Sequence, residues 1–77
     1  MKRIKFCVIH CTKEERDKGV DHWESFDTKE TALKRADEIN HNNIEFIAIE
    51  KHHEIYERNE WLPDWELGEN QFERIDF

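Results

Sequence analysis

The sequence has few of the residues that build phosphate-binding loops and disulfide frameworks. Gly19 and Gly68 are its only glycines, so it has no glycine-rich loop of the kind that cradles phosphate groups. Its two cysteines, Cys7 and Cys11, do not form a Cys-x-x-Cys pair. In a strand their Cα atoms would be about 13 Å apart, whereas a disulfide needs less than about 7 Å. We therefore expect two free thiols.

Long apolar segments are also absent. The basic start at residues 1–5 is not followed by an apolar stretch of about 7–15 residues, so we predict neither a signal peptide nor a transmembrane helix and expect a cytoplasmic protein. The net charge of −7 argues against direct nucleic-acid binding, which needs Lys and Arg to neutralise phosphates. The same charge argues against an anionic membrane surface.

The short length predicts a single domain spanning residues 1–77. A chain of this size buries only about 60% of its unfolded surface, which leaves little room for a large enclosed substrate site. Charged residues make up 40% of the chain and the mean hydropathy is −1.05, values that alone favour disorder. The apolar residues are nevertheless grouped, at 4–9, 32–39 and 44–49, and this grouping predicts a folded domain with a charged surface.

The order of these groups predicts an α+β fold. Residues 4–11, 22–26 and 44–49 have strand composition, and 72–77 alternate as in an edge strand. The strand that begins at residue 44 can continue to Tyr56, with a turn at residues 58–60. Between them, Asp27 or Thr28 can cap a helix, with Glu30 returning the bond to Asp27. The helix presents one apolar stripe, formed by Ala32, Leu33, Ala36 and Ile39. It is expected to end in residues 40–43, where an Asn can adopt a left-handed cap.

The resulting β-β-α-β order predicts a three- or four-stranded antiparallel sheet with one helix on one face. A right-handed crossover makes the second and third strands parallel, so the first strand lies between them in the spatial order 2-1-3. The first strand is apolar on both sides, and one helix covers only one face. We expect the other face to be covered either by the C-terminal segment or by a second copy of the chain, and the sequence leaves both open.

The C-terminal segment, residues 54–77, is both acidic and aromatic. It holds eight acids against two bases, while residues 1–53 hold eleven acids and ten bases. Five of the nine aromatic residues are also here. Large aromatics are enriched at interface hot spots, and an acidic rim favours a basic partner. The partner-binding residues predicted on this basis are Tyr56, Glu57, Glu60, Trp61, Asp64, Trp65, Glu66 and Glu69. The alternative is that Trp61 and Trp65 cover the open face of the sheet, while the acids only face the solvent.

Cys7, His10 and Cys11 have the residue types of a metal or thiol site. His22 or the His52–His53 pair could complete a set of zinc ligands. In a strand the two cysteines point to one side and His10 to the other. Apolar neighbours also raise a thiol pKa, which disfavours a nucleophile. We therefore predict no enzyme, no cofactor and no metal site, and keep a small metal or thiol protein as an alternative.

In size, acidity and the Trp61-Leu62-Pro63-Asp64-Trp65 segment, the chain resembles the small acidic accessory proteins that bacteriophages encode against host machinery, anti-CRISPR inhibitors and host-takeover factors among them. This resemblance implies a non-enzymatic inhibitor or modulator that binds a host protein, in some cases as a nucleic-acid mimic. The acidic aromatic surface of this chain would then contact a basic surface of the host protein. The principal alternative is a homodimeric adaptor or structural protein that associates through the open sheet face.

Overall fold

The computed structural model describes residues 1–41 and 43–77. Its strands are β1 (Lys2–Thr12), β2 (His22–Phe26), β3 (Ile44–Glu57), β4 (Glu60–Pro63) and β5 (Phe72–Ile75). Its α-helices are α1 (Lys13–Asp17) and α2 (Lys29–Ile39), and a 3₁₀ segment spans Trp65–Gln71. The antiparallel α+β class is confirmed.

The sheet has the order β2-β1-β3-β4, with β5 also pairing with β3. β1 is antiparallel to both β2 and β3, which confirms the 2-1-3 arrangement. β3 continues to Glu57, in agreement with the extension to Tyr56 expected from sequence, and its second half forms a hairpin with β4. The C-terminal segment therefore extends the sheet sideways with two short strands, of which only β5 is predicted from sequence. Pro63 ends β4 at the outer edge, where a missing N–H costs no ladder hydrogen bond.

Helix α2 begins one residue later than the predicted Asp27–Glu30 box requires. Its N-cap is Thr28, whose hydroxyl accepts a hydrogen bond from the backbone N–H of Thr31. Thr28, one of the two predicted caps, is therefore confirmed. The predicted bond from Glu30 back to Asp27 is wrong because the helix begins after Thr28, and the Asp27 carboxylate pairs with Lys5 of β1. A complete capping box occurs at α1, where Thr12 and Glu15 bond each other's backbone N–H groups.

The C-terminal end of α2 differs from the expected left-handed cap. Asn40 is the C-cap and has an extended backbone (φ −68°, ψ 92°), with its N–H donating to the carbonyl of Ala36. Asn43 is a turn residue immediately before β3. Asn42, the remaining asparagine of this stretch, lies outside the described residues.

The core lies between α2 and one face of the sheet. It consists of Val8, Ala32, Ala36, Ile39 and Ile49, all buried. Alanine at two consecutive turns of the helix allows its backbone to approach the sheet closely. Three of these residues belong to the stripe predicted from sequence, and its fourth member, Leu33, packs against them while partly exposed.

The opposite face of the sheet, here called the open face, has small and apolar residues along its centre. Cys7, Ile9, Cys11 and Ala48 are buried there, flanked by the larger side chains of Trp23, Phe46 and Phe72. Helix α2 lies on the other side, and α1 approaches this face only near Cys11. Of the two covers that the sequence left open, the C-terminal segment joins the edge of the sheet as strands and contributes the side chains of Phe72 and Arg74 to this face.

Candidate protein-binding surfaces

The β3–β4 hairpin brings together four of the residues predicted to bind a partner. Its turn is formed by Arg58 and Asn59, both with positive φ (53° and 67°), as in the two-residue turns that match strand twist. Immediately outside the turn, Glu57 and Glu60 face each other, and beyond them Tyr56 pairs with Trp61.

The aromatic pair of the hairpin is held in place by its neighbours. The rings of Tyr56 and Trp61 have centroids 5.2 Å apart, and the guanidinium of Arg3 lies 4.1 Å from the centroid of the Trp61 ring. Arg3 is itself fixed by Glu54, with 2.7 Å between Nε and Oε1. Trp61 is therefore half-buried and serves the packing of the hairpin, while Tyr56 stays exposed.

Asp64 is an internal residue. It is only 2% exposed and caps the 3₁₀ segment by accepting a hydrogen bond from the N–H of Glu66 at 3.3 Å. Its Oδ2 lies 3.2 Å from Nζ of Lys2. The hydrogen bond to Asp64 is the main cause of the raised pKa of Lys2, with Glu66 adding to it. Its carboxylate is thus used within the chain and is unavailable as part of an acidic rim.

The 3₁₀ segment displays the largest aromatic surface of the C-terminal region. Trp65 is 63% exposed and Leu67 is 38% exposed, and the carboxylates of Glu66 and Glu69 lie beside them in the chain. We call these four residues the Trp65 patch. Gly68 has φ 56° and ψ −128° within this segment, a conformation that is accessible mainly to glycine.

The predicted site residues therefore separate into two groups with Asp64 buried between them. One is the hairpin group of Tyr56, Glu57, Glu60 and Trp61, and the other is the Trp65 patch. Leu67 was missed by sequence reasoning. Its position beside Gly68, in a segment without strand or helix periodicity, was the available signal that it lies outside the core.

The open face carries a second aromatic surface, built by residues distant in sequence. Trp23 of β2 is 59% exposed, and its ring centroid lies 6.0 Å from that of His52 on β3. The centroid of the His52 ring in turn lies 4.7 Å from the centroid of the Phe72 ring on β5. Sequence reasoning missed Trp23 and Phe46 as surface residues, because only the strand register reveals that they share a face with Phe72.

Cys7 lies beneath this aromatic row. Its Sγ is 3.5 Å from Nδ1 of His52, and Nε2 of His52 is 3.0 Å from Oε1 of Glu50. This order of thiol, imidazole and carboxylate is also found in cysteine nucleophiles. Here, however, burial raises the pKa of the Cys7 thiol, which keeps it protonated. The arrangement favours a hydrogen-bonded structural group over a nucleophile.

The cationic side chains of the open face are matched by acids of the same face. Arg3 pairs with Glu54, as described above. Lys5 bonds Asp27. Arg74 lies 3.6 Å from Glu50, between Nη2 and Oε2, and its guanidinium also approaches the ring of Phe46. The face is consequently close to neutral and aromatic.

His10 lies on the helix side of the sheet, as the alternation of the strand predicts. Its Nε2 is 3.0 Å from Glu24, which also accepts hydrogen bonds from Arg35 at 2.9 and 3.2 Å. His22 stacks on His10 and bonds Glu15. Among residues 1–41 and 43–77, His, Cys, Asp and Glu side chains form no group of three or more with the geometry of a metal site.

Two further observations bear on the class of the protein. In the part of the chain that the structure describes, neither α-helix has the length and apolar composition needed to cross a bilayer. Comparison with known proteins found no matching family model, no similar curated protein and no similar solved structure.

Proposed function

We propose that this protein is a non-enzymatic binding protein that inhibits or modulates a partner with a basic surface, and that the Trp65 patch is its principal contact. In line with the resemblance to phage accessory proteins, the expected partner is a host protein that binds nucleic acid or regulates its use. The expected compartment is the cytoplasm of that host.

The exposure of Trp65 is the observation that carries this proposal. A tryptophan that covered the sheet would be buried, yet Trp65 is 63% exposed in a segment that is otherwise anchored by Asp64. An exposed tryptophan on a held segment loses little conformational freedom when it binds, and tryptophan is among the commonest hot-spot residues.

The charges near this tryptophan indicate a basic partner. Within the described residues, Glu57, Glu60 and Glu69 take part in no ion pair, and Glu66 contacts only the exposed Lys2. Such solvent-exposed acids are free to meet Lys or Arg of another protein. Their main effect is expected on the association rate and on specificity.

The test is affinity capture from a bacterial lysate with the wild-type chain, a Trp65→Ser variant and a Trp23→Ser control. Circular dichroism first confirms that all three fold. The wild type and Trp23→Ser are expected to retain the same basic protein, and Trp65→Ser to lose it. With that protein purified, affinity should fall as salt rises from about 50 to 200 mM, because exposed charges are screened.

A charge-neutral variant tests the electrostatic part separately. Glu66→Gln with Glu69→Gln leaves Trp65 in place and should slow association with the purified partner more than it speeds dissociation. Retention of the same partner by Trp65→Ser would refute the assignment of the patch. An unchanged association rate in the double glutamine variant would refute the role of the acids.

A further inference from the structure

Among the described residues, no helix lies across the centre of the open face, although Cys7, Ile9, Cys11 and Ala48 there are apolar and buried. Its own side chains cover the centre in part. The aromatic row from Trp23 to Phe72 crosses above Cys7, and Arg74 reaches toward Phe46 across Ala48. The outer surface of this layer remains exposed, with Trp23 at 59% and Phe72 at 45%.

We infer that the open face is the interface of a homodimer, with a second copy of this chain as its occupant. Charge is the first argument. The cations Arg3, Lys5 and Arg74 are each paired with an acid on the same face. The face therefore offers no surplus charge to an acidic or basic partner, and a neutral aromatic surface such as the same face of another copy is its match.

Shape is the second argument. The aromatic Trp23 stands on β2, while Phe46 and Phe72 stand on the far side of β1 on β3 and β5. Ile9 lies between them on β1, and Ala48 stands beside Ile9 on β3, next to Phe46. In a two-fold arrangement the same patch meets itself, so the raised aromatic side chains of each copy can pack against the lower centre around Ile9 and Ala48 of the other, beside the row formed by Trp23, His52 and Phe72.

Size is the third argument. From Arg3 to Cys11 the strand spans roughly 26 Å, and four strands span roughly 19 Å across. The face then projects to roughly 500 Å² per copy, or about 1,000 Å² for the pair. This is close to the lower limit for a specific interface, so the dimer is expected to be weak and to depend on concentration.

This interface is separate from the Trp65 patch, which lies in the segment joining β4 to β5 at the sheet edge. The two surfaces also differ in their response to salt. Binding through the acidic patch should weaken as salt rises. Association of two neutral faces on chains of net charge −7 should hold or strengthen, because salt screens the repulsion between the copies.

Sedimentation equilibrium from about 1 µM to about 1 mM tests the inference on the wild-type chain, Trp23→Ser and Trp65→Ser. The wild type is expected to pass from monomer to dimer within this range. Trp23→Ser should raise the dissociation constant at least tenfold, whereas Trp65→Ser should leave it unchanged. Phe72→Ser should weaken the dimer as well, because Phe72 stands on the side of the open face opposite Trp23. Circular dichroism establishes that each variant is folded.

A wild-type chain that stays monomeric up to about 1 mM would overturn the inference, as would a dimer that Trp23→Ser and Phe72→Ser leave intact. Neither result affects the assignment of the Trp65 patch, which is judged by partner capture. Conversely, a chain that dimerises through Trp23 but captures no partner would retain the dimer and remove the proposed function.

Discussion

The buried carboxylate of Asp64 lies 3.2 Å from the ammonium group of Lys2, so a residue at the start of the chain holds the segment that carries Trp65. Asp64 also accepts the N–H of Glu66 and donates its own N–H to the carbonyl of His53. Three different parts of the chain thus fix one side chain and its backbone. The orientation of the Trp65 patch depends on this junction.

Replacing Asp64 with Ala should therefore cost more than replacing its exposed neighbour. We expect Asp64→Ala to lower the free energy of unfolding by about 1–2 kcal/mol, since it removes the cap of the 3₁₀ segment and leaves the N–H of Glu66 without its acceptor. The control Glu66→Ala should stay within about 0.5 kcal/mol of wild type. Urea denaturation measures both, and equal effects of the two substitutions would contradict the buried role of Asp64.

The β3–β4 turn contains a residue in a conformation that suits glycine better. Arg58 has φ 53°, and this region costs a residue with a side chain about 1–2 kcal/mol. Because glycine loses more backbone entropy on folding, Arg58→Gly should raise the free energy of unfolding by about 0.5–1 kcal/mol. Arg58→Ala removes the same charge without relieving the backbone, and thermal unfolding of both variants separates the two effects. An increase in the alanine variant as large as in the glycine variant would rule out this explanation.

The close approach of α2 to the sheet predicts a penalty for a larger side chain. Ala36 is fully buried, so Ala36→Leu should displace the helix and lower the free energy of unfolding by about 1–3 kcal/mol. Lys34→Leu places the same side chain on the exposed side of the helix and serves as the matched control. Chemical denaturation that shows no loss for Ala36→Leu would mean that the core has space beside Ala36.

Glu24 should make the protein sensitive to acid. Burial opposes its ionisation, but hydrogen bonds with Arg35 and His10 outweigh burial and lower its pKa. Its folded pKa is thus below the unfolded value of about 4.3. The stabilisation is fully present above pH of about 4.3 and is lost as pH falls through the folded pKa.

Unfolding measurements between about pH 3 and pH 7 test this expectation against a Glu24→Gln variant. The difference in stability between wild type and variant should be constant near neutral pH and should shrink below pH of about 4.3. An exposed acid outside any ion pair among the described residues, Asp37, provides the control substitution Asp37→Asn, for which no such change is expected. A difference that does not depend on pH would show that Glu24 acts through packing alone.

The strand order followed from the sequence because it depends on local composition and on the handedness of the crossover. The apolar residues on both sides of β1 required a central strand, and β1 is central. The stripe from Ala32 to Ile39 likewise identified the helix face that packs on the sheet. These features need only the order and the alternation of residue types.

The surfaces were harder to predict because they depend on long-range pairing. Nothing local shows that Trp23 and His52 lie across Cys7, since the contact requires β2 and β3 to flank β1 in one register. Asp64 was predicted as part of an exposed acidic rim because it belongs to the acidic segment 54–77. It is buried instead, and its carboxylate pairs with Lys2, which is distant in sequence and adjacent only in the folded sheet.

The outer edge of β3 is covered by two strands of four residues each, the first ending at Pro63 and the second following the 3₁₀ segment. A long uninterrupted edge would serve as a template on which further chains could add as strands, and short edges with a proline and a protruding turn block such growth. This edge is therefore a poor template for open-ended fibrils of this chain.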